Sequence, residues 1–122
     1  MPHRILAVDD EEAIRVMLQQ FLTTLGYEVD TAQDGVEALD MLEKSAYDLV
    51  LSDINMPRMK GFELLQKVRE KHPGVKRALI TAYDVNDYLK LAMEHDVGSI
   101  IPKSTPPNFD EIRTVVQNLL SK

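Results

Sequence analysis

Acidic residues gather at two points of this 122-residue chain, Asp9-Asp10-Glu11-Glu12 and Asp53, and each follows a short apolar run. The first run is His3-Arg-Ile-Leu-Ala-Val8 and the second is Leu49-Val-Leu51, ending in Ser52-Asp53. If neighbouring strands deliver Asp9, Asp10 and Asp53 to one edge, the carboxylates repel by roughly 4 kcal/mol per pair at about 4 Å and an effective dielectric near 20. A divalent cation with oxygen ligands is the simplest relief. Two more polar groups close apolar runs: Thr81, after Arg77-Ala-Leu-Ile80, and Lys103, after Ser99-Ile-Ile-Pro102. Acid, cation, hydroxyl and ammonium together suit a phosphoryl group. A carboxylate is a competent nucleophile toward phosphorus and gives an acyl phosphate, while the positive groups and the hydroxyl balance the phosphoryl oxygens. Magnesium, which favours oxygen ligands and keeps waters, matches a site of two or three carboxylates and a backbone carbonyl. Taken singly, Asp53 reads as a turn former or helix cap, Thr81 as a strand end and Lys103 as a solvated lysine. The chemistry depends on their convergence.

The pattern between these residues supplies it. Ile14, Met17, Leu18, Phe21, Leu22 and Leu25 recur at helical spacing before a Gly26 stop. Tyr27–Thr31 alternates as a strand. Asp34-Gly35 turns into a helix with Val36, Leu39 and Leu42 on its buried side. After the strand ending at Asp53, Pro57 and Gly61 mark a loop. The next helix carries Phe62, Leu64, Leu65 and Val68 and stops at His72-Pro73-Gly74. Arg77–Thr81 is a fourth strand, Asp84 caps a helix bearing Tyr88, Leu89, Ala92 and Met93, and Ser99–Pro102 is a fifth strand. Asn108 with Glu111 is a capping signal, and the last helix buries Phe109, Ile112, Val116, Leu119 and Leu120. Five strands alternating with five helices predict an α/β fold: a doubly wound, flavodoxin-like parallel sheet with right-handed crossovers and helices on both faces. The order 2-1-3-4-5 sets the first and third strands side by side at the switch point. Asp9, Asp10 and Asp53 then converge, with Thr81 and Lys103 reaching the same edge.

Composition bounds the rest. The length suits one domain, residues 1–122, with a substantial core. A net charge of −6 with no basic block argues against general binding to nucleic acid or anionic membrane. The chain has no cysteine, so thiolate metal sites and disulfides are excluded. No apolar stretch approaches the ~20 residues of a membrane span, and the expected location is cytoplasmic.

Val8-Asp-Asp-Glu11, the loop Asp53-x-x-Met-Pro57-x-Met-x-Gly61, Thr81-Ala82 and Lys103 stand in order along the chain. Over its full length the sequence resembles the receiver domain of bacterial two-component response regulators. The resemblance implies a phosphorelay receiver in which Asp53 takes a phosphoryl group from a sensor histidine kinase or phosphotransfer protein. It implies magnesium held by Asp10, Asp53 and the main-chain carbonyl of Asn55, with Asp9 reaching it directly or through water. Lys103 would pair with the phosphoryl group and Thr81 would be the switch hydroxyl. Such a domain is not an enzyme acting on a separate substrate; it assists its own phosphorylation and dephosphorylation. It would pass the signal by docking an effector protein on the face formed by the fourth helix, fifth strand and fifth helix. Tyr83, two residues after Thr81, borders the expected path of attacking water.

Two positions depart from the family pattern. Ser104 follows Lys103 where proline in a cis peptide is usual, and Ile100 stands where an aromatic switch residue is common. Ile100 is expected to be a fixed packing residue or part of an apolar docking patch. A haloacid-dehalogenase-type phosphatase would need an acid two residues after its nucleophile, and Asn55 stands there. A flavin site of the same topology would need a phosphate-cradling first loop, which four acids would repel. The remaining rival is a receiver-like interaction module that works without phosphorylation. The chain ends just after the last helix, leaving open a stand-alone domain or part of a longer regulator.

Overall fold

The apolar runs fold into short strands covered on both sides, and Leu49–Asp53 is buried at every position. In the computed structural model, which describes residues 2–54, 56–81, 99–103 and 107–121, the elements are β1 (Arg4–Val8), α1 (Glu12–Thr24), β2 (Glu28–Ala32), α2 (Gly35–Lys44), β3 (Leu49–Asp53), α3 (Gly61–Lys71), β4 (Lys76–Thr81), β5 (Ser99–Pro102) and α4 (Phe109–Leu120). The strands form one parallel sheet in the order β2-β1-β3-β4-β5, as the alternation of elements predicts. The helix expected after Asp84, bearing Tyr88, Leu89, Ala92 and Met93, falls outside the described residues, as does Tyr83. So do Asn55 and Ser104.

Period-two alternation along the strands divides the core into two layers. Leu6, Val8, Val50 and Leu79 face α2 and α3, meeting Ala38, Leu42, Leu64, Leu65 and Val68. Ile5, Ala7, Leu49, Leu51, Ala78, Ile80 and Ile101 face the other way, onto Leu18 and Leu22 of α1 and Ile112 and Val116 of α4. Burying each large side chain contributes about 1.5–3 kcal/mol, and among the described residues the sheet is held between α2 and α3 on one face and α1 and α4 on the other. Ile100 is half-buried against the layer that contains Leu79, its partner across β4 and β5. That is a packing role.

Local signals set the helix starts. Asp34 caps α2 by accepting the Glu37 N–H at 2.8 Å, and Asn108 caps α4 by accepting the Glu111 N–H at 3.0 Å. The Glu111 carboxylate answers to the Asn108 side-chain amide at 3.4 Å rather than to its backbone. Two residues expected on buried helix faces stand out in solvent: Val36 is 43% exposed and Phe109 is 40% exposed. Both occupy the first turn of their helix, at the rim of the sheet, where the helical period alone does not say whether anything lies beneath. Phe109 instead packs on Phe21 of α1, with ring centroids 4.7 Å apart. Strand starts differ from the sequence reading by one residue in β1, β2 and β4.

Gly26 stops α1 with φ at +97°, its N–H donating to the Thr23 carbonyl at 3.0 Å. A Cβ at Gly26 or at Gly74 would meet nothing within 4 Å, and of the two only Gly26 has a left-handed φ. The pair separates backbone strain from sterics. Gly26→Ala is expected to destabilise by about 1 kcal/mol, whereas Gly74→Ala should be neutral or gain about 0.4–1 kcal/mol by restricting the unfolded chain. Urea unfolding midpoints give the comparison, and equal effects would contradict the backbone argument.

Candidate functional site

Because every strand is parallel, β1, β3, β4 and β5 all finish at one edge, in the register Val8↔Ser52, Asp53↔Ile80 and Thr81↔Pro102. Asp9 follows β1, Asp53 closes β3, Thr81 closes β4 and Lys103 follows β5. The Lys103 N–H donates to the Thr81 carbonyl at 2.5 Å, carrying the last strand's pairing into the site. Asp9 and Thr81 are fully buried, Asp53 nearly so, and Asp10 is exposed. One oxygen from each of Asp9, Asp10 and Asp53 lies within 4.8 Å of the other two. Lys103, far from being a solvated lysine, has its side chain only 12% exposed. Its Nζ stands 2.8 Å from Asp9 Oδ2, 3.4 Å from Asp53 Oδ1 and 3.9 Å from Glu11 Oε1. The five residues singled out from the sequence thus share one edge. The sixth candidate, the Asn55 carbonyl, is among the residues not described.

The carboxylates are held as well as gathered. Asp9 Oδ1 accepts the Glu11 N–H at 2.9 Å, and Asp53 Oδ1 accepts the Ile54 N–H at 2.9 Å. Asp9 Oδ2 accepts from the Lys103 ammonium at 2.8 Å. Arg15, one turn into α1, donates from its guanidinium to the Asp9 carbonyl at 2.8 Å. Burial, with the neighbouring Asp9 charge adding to it, pushes the Asp53 carboxyl up to about 6 against the partial relief given by Lys103. Burial also raises Asp9, opposed by Lys103 and the Glu11 N–H. Burial works against the Lys103 ammonium, but contact with Asp9 and then Asp53 outweighs it and raises its pKa. Three acidic oxygen donors within 4.8 Å of one another, one of them open to solvent, fit a hard divalent cation.

The loop after Asp53 is closed tightly. Gly61 N–H donates to the Ile54 carbonyl at 2.8 Å, and a Cβ on Gly61 would stand 2.2 Å from the Asp53 carbonyl oxygen. Glycine is therefore required for this approach. Between them, Met59 N–H bonds the Pro57 carbonyl at 2.8 Å across Arg58, whose φ is +68°. A γ-turn with a positive central φ is rare and strained, by about 1–3 kcal/mol for a residue with a side chain. The Arg58 guanidinium is bound to Asp34, the cap of α2. Sequence reading found neither Arg15 nor the Arg58–Asp34 pair. Arg15 stands at helical spacing among apolar residues without a marked partner, and Asp34 lies 24 residues from Arg58.

A family profile described as the response regulator receiver domain matches residues 5–117. The chain is 33% identical over 120 residues to sporulation initiation phosphotransferase F of Bacillus subtilis, covering 98% of this chain and 95% of that protein. It is 34% identical to response regulator MprA of Mycobacterium sp. (strain KMS), where it spans all of this chain but 52% of the relative. Among solved structures, response regulator protein TrrA from Thermotoga maritima, in complex with Mg(2+)-BeF, superposes with a TM-score of 0.88 at 41% identity, covering 98% of this chain and 100% of that one.

The raised Asp53 pKa has a consequence for the metal-free fold. At about 6 it exceeds the ordinary value of 3.8, so the native state holds the proton more tightly than the unfolded chain. The resulting stability is fully present below about pH 4 and is lost as pH rises through about 6. The loss is on the order of 3 kcal/mol. With a chelator present, Asp53→Asn should be more stable than wild type at pH 8, and the difference should shrink toward pH 4. Parallel unfolding profiles for the two proteins across this range would refute the electrostatic account.

Proposed function

The chain belongs to the response regulator receiver domain family, and from that membership we propose that Asp53 is a phosphoacceptor in a magnesium-dependent phosphorelay. The observation that carries the reading is the placement of Lys103 Nζ 3.4 Å from Asp53 Oδ1 on an edge shared with Asp9, Asp10 and Thr81. A carboxylate oxygen of Asp53 attacks phosphorus. The new O–P bond forms as the bond from phosphorus to the donor breaks, and the donor (the histidine nitrogen of a kinase or phosphotransfer protein, or the oxygen of a small acyl phosphate) leaves with the electron pair. Lys103 is placed to exchange its contact with Asp53 for one with a phosphoryl oxygen, and Asp9 keeps the ammonium aimed at the site. The Thr81 hydroxyl, at the end of the adjacent strand, serves as the switch group. Burial of Asp9 and Asp53 excludes bulk water from the nucleophile.

Asp9, Asp10 and Asp53, with the main-chain carbonyl of Asn55, would hold the magnesium ion. When bound, that ion offsets the carboxylate charge and the charge on the phosphoryl oxygens. The chain assists its own phosphoryl transfer and does not turn over a separate substrate. It acts in the cytoplasm, receiving from a sensor histidine kinase and docking an effector protein through β5, α4 and the segment before β5 that the sequence reads as a helix. The effector surface includes residues outside those described.

Incubation with acetyl phosphate and magnesium should add one phosphoryl group by mass, and Asp53→Asn should abolish it. Labelling of the variant at the wild-type level would sink the assignment, and no labelling of wild type would favour a phosphate-independent interaction module. Magnesium at a hundredfold excess over its Kd should stabilise the fold by about 2.7 kcal/mol. Asp10→Ala should remove that response, which thermal unfolding with and without magnesium will read.

A further inference from the structure

We infer that Arg58 is a positioning residue for the phosphoacceptor loop, acting through its ion pair with Asp34. The inference rests on the function proposed above and adds a determinant of cation affinity that touches neither the cation nor the phosphoryl group. Three features of the loop carry it. Arg58 is the centre of a γ-turn at φ +68°, a conformation its side chain disfavours. Its guanidinium reaches Asp34 from Nε at 3.2 Å and again from a terminal nitrogen. Asp34 is 6% exposed while Arg58 is 58% exposed, so a surface cation is tied to a buried anion. Beside the pair, Met59 fills the space over Gly35, where a Cβ would stand 2.8 Å from its Sδ.

Asp34 divides its oxygens between two tasks. Oδ1 accepts the Glu37 N–H as the cap of α2, and Oδ2 accepts Arg58. Through that carboxylate the loop from Asp53 to Gly61 is docked on the start of α2, while the Gly61–Ile54 bond and the close approach of Gly61 to the Asp53 carbonyl tie its other end to β3. A strained turn that lacked this pair would relax, and the relaxation would be felt between two fixed points, one of which is Asp53. Strain held at such a place by a specific contact marks a geometry needed for function.

Two substitutions release the latch while sparing the fold. Arg58→Ala keeps the disfavoured positive φ and loses the contact that holds it, and Asp34→Asn keeps the cap, since asparagine caps as well as aspartate. Magnesium chloride, followed by beryllium fluoride, would be titrated into the whole chain and followed by amide chemical shifts. Urea midpoints would confirm that each variant is folded. Each variant should bind magnesium about fivefold more weakly, the equivalent of about 1 kcal/mol, and the double variant should be no weaker than the single ones. Arg58→Lys, which keeps the cation, should recover part of the affinity.

The choice of variants separates positioning from simple charge. Removing a cation near a metal site tightens binding and removing an anion weakens it, so a through-space effect moves Arg58→Ala and Asp34→Asn in opposite directions. Opposite shifts, or wild-type affinity in both, would overturn the latch. If wild type itself bound no magnesium, the proposed function would fail and the latch with it. Should either variant unfold, Arg58→Lys binding magnesium more tightly than Arg58→Gln would support positioning, and equal or reversed affinities in those two would reject it.

Discussion

Two buried carboxylates within reach of one ammonium form the constraint on which this structure turns. Asp9 is fully buried and Asp53 nearly so, and Lys103 stands 2.8 Å from one and 3.4 Å from the other. Removing charges from water costs several kcal/mol per ion, and two like charges side by side add to that. The ammonium offsets part of the cost, and the Glu11 and Ile54 N–H groups offset more. The remainder is visible as the raised pKa of both acids. A site in this condition favours incoming positive charge, which suits it to a divalent cation.

Meeting that constraint demands a particular sheet. Asp9, Asp53 and Lys103 come from β1, β3 and β5, and β4 lies between the last two. A one-residue slip in any of these strands would turn its side chains to the opposite face. The two-layer core prevents it, since Leu6 and Val8 belong to one layer and Ile5 and Ala7 to the other. The apolar strands therefore do more than fill the interior. They hold the carboxylates and the ammonium within ångströms of each other.

The loop between Asp53 and Gly61 is the second point of close tolerance. Gly61 is there because the Asp53 carbonyl leaves no room for a Cβ, and Arg58 holds an unfavourable φ beside a bound Asp34. The cap of α2 and the docking of this loop thus share one carboxylate. In β5, Ile100 packs against the same layer, which contains Leu79, and it has neither a planar ring nor a hydroxyl to exchange partners.

Much of this was legible in the sequence because its signals are local. Apolar runs, turn residues and caps gave the strands, the described helices and their order, and the parallel order brought Asp9, Asp10, Asp53, Thr81 and Lys103 to one edge. Helical period misjudged Val36 and Phe109, since a first turn at the rim of the sheet has the same spacing as one above it. What only the tertiary structure decided are contacts between distant residues: Lys103 buried against Asp9, Arg15 on the Asp9 carbonyl, and Arg58 on Asp34. A charged side chain carries no mark of its partner in its own neighbourhood of the chain. Its partner is set by which strand and helix ends the packed sheet places side by side, and by how much water that packing leaves between them.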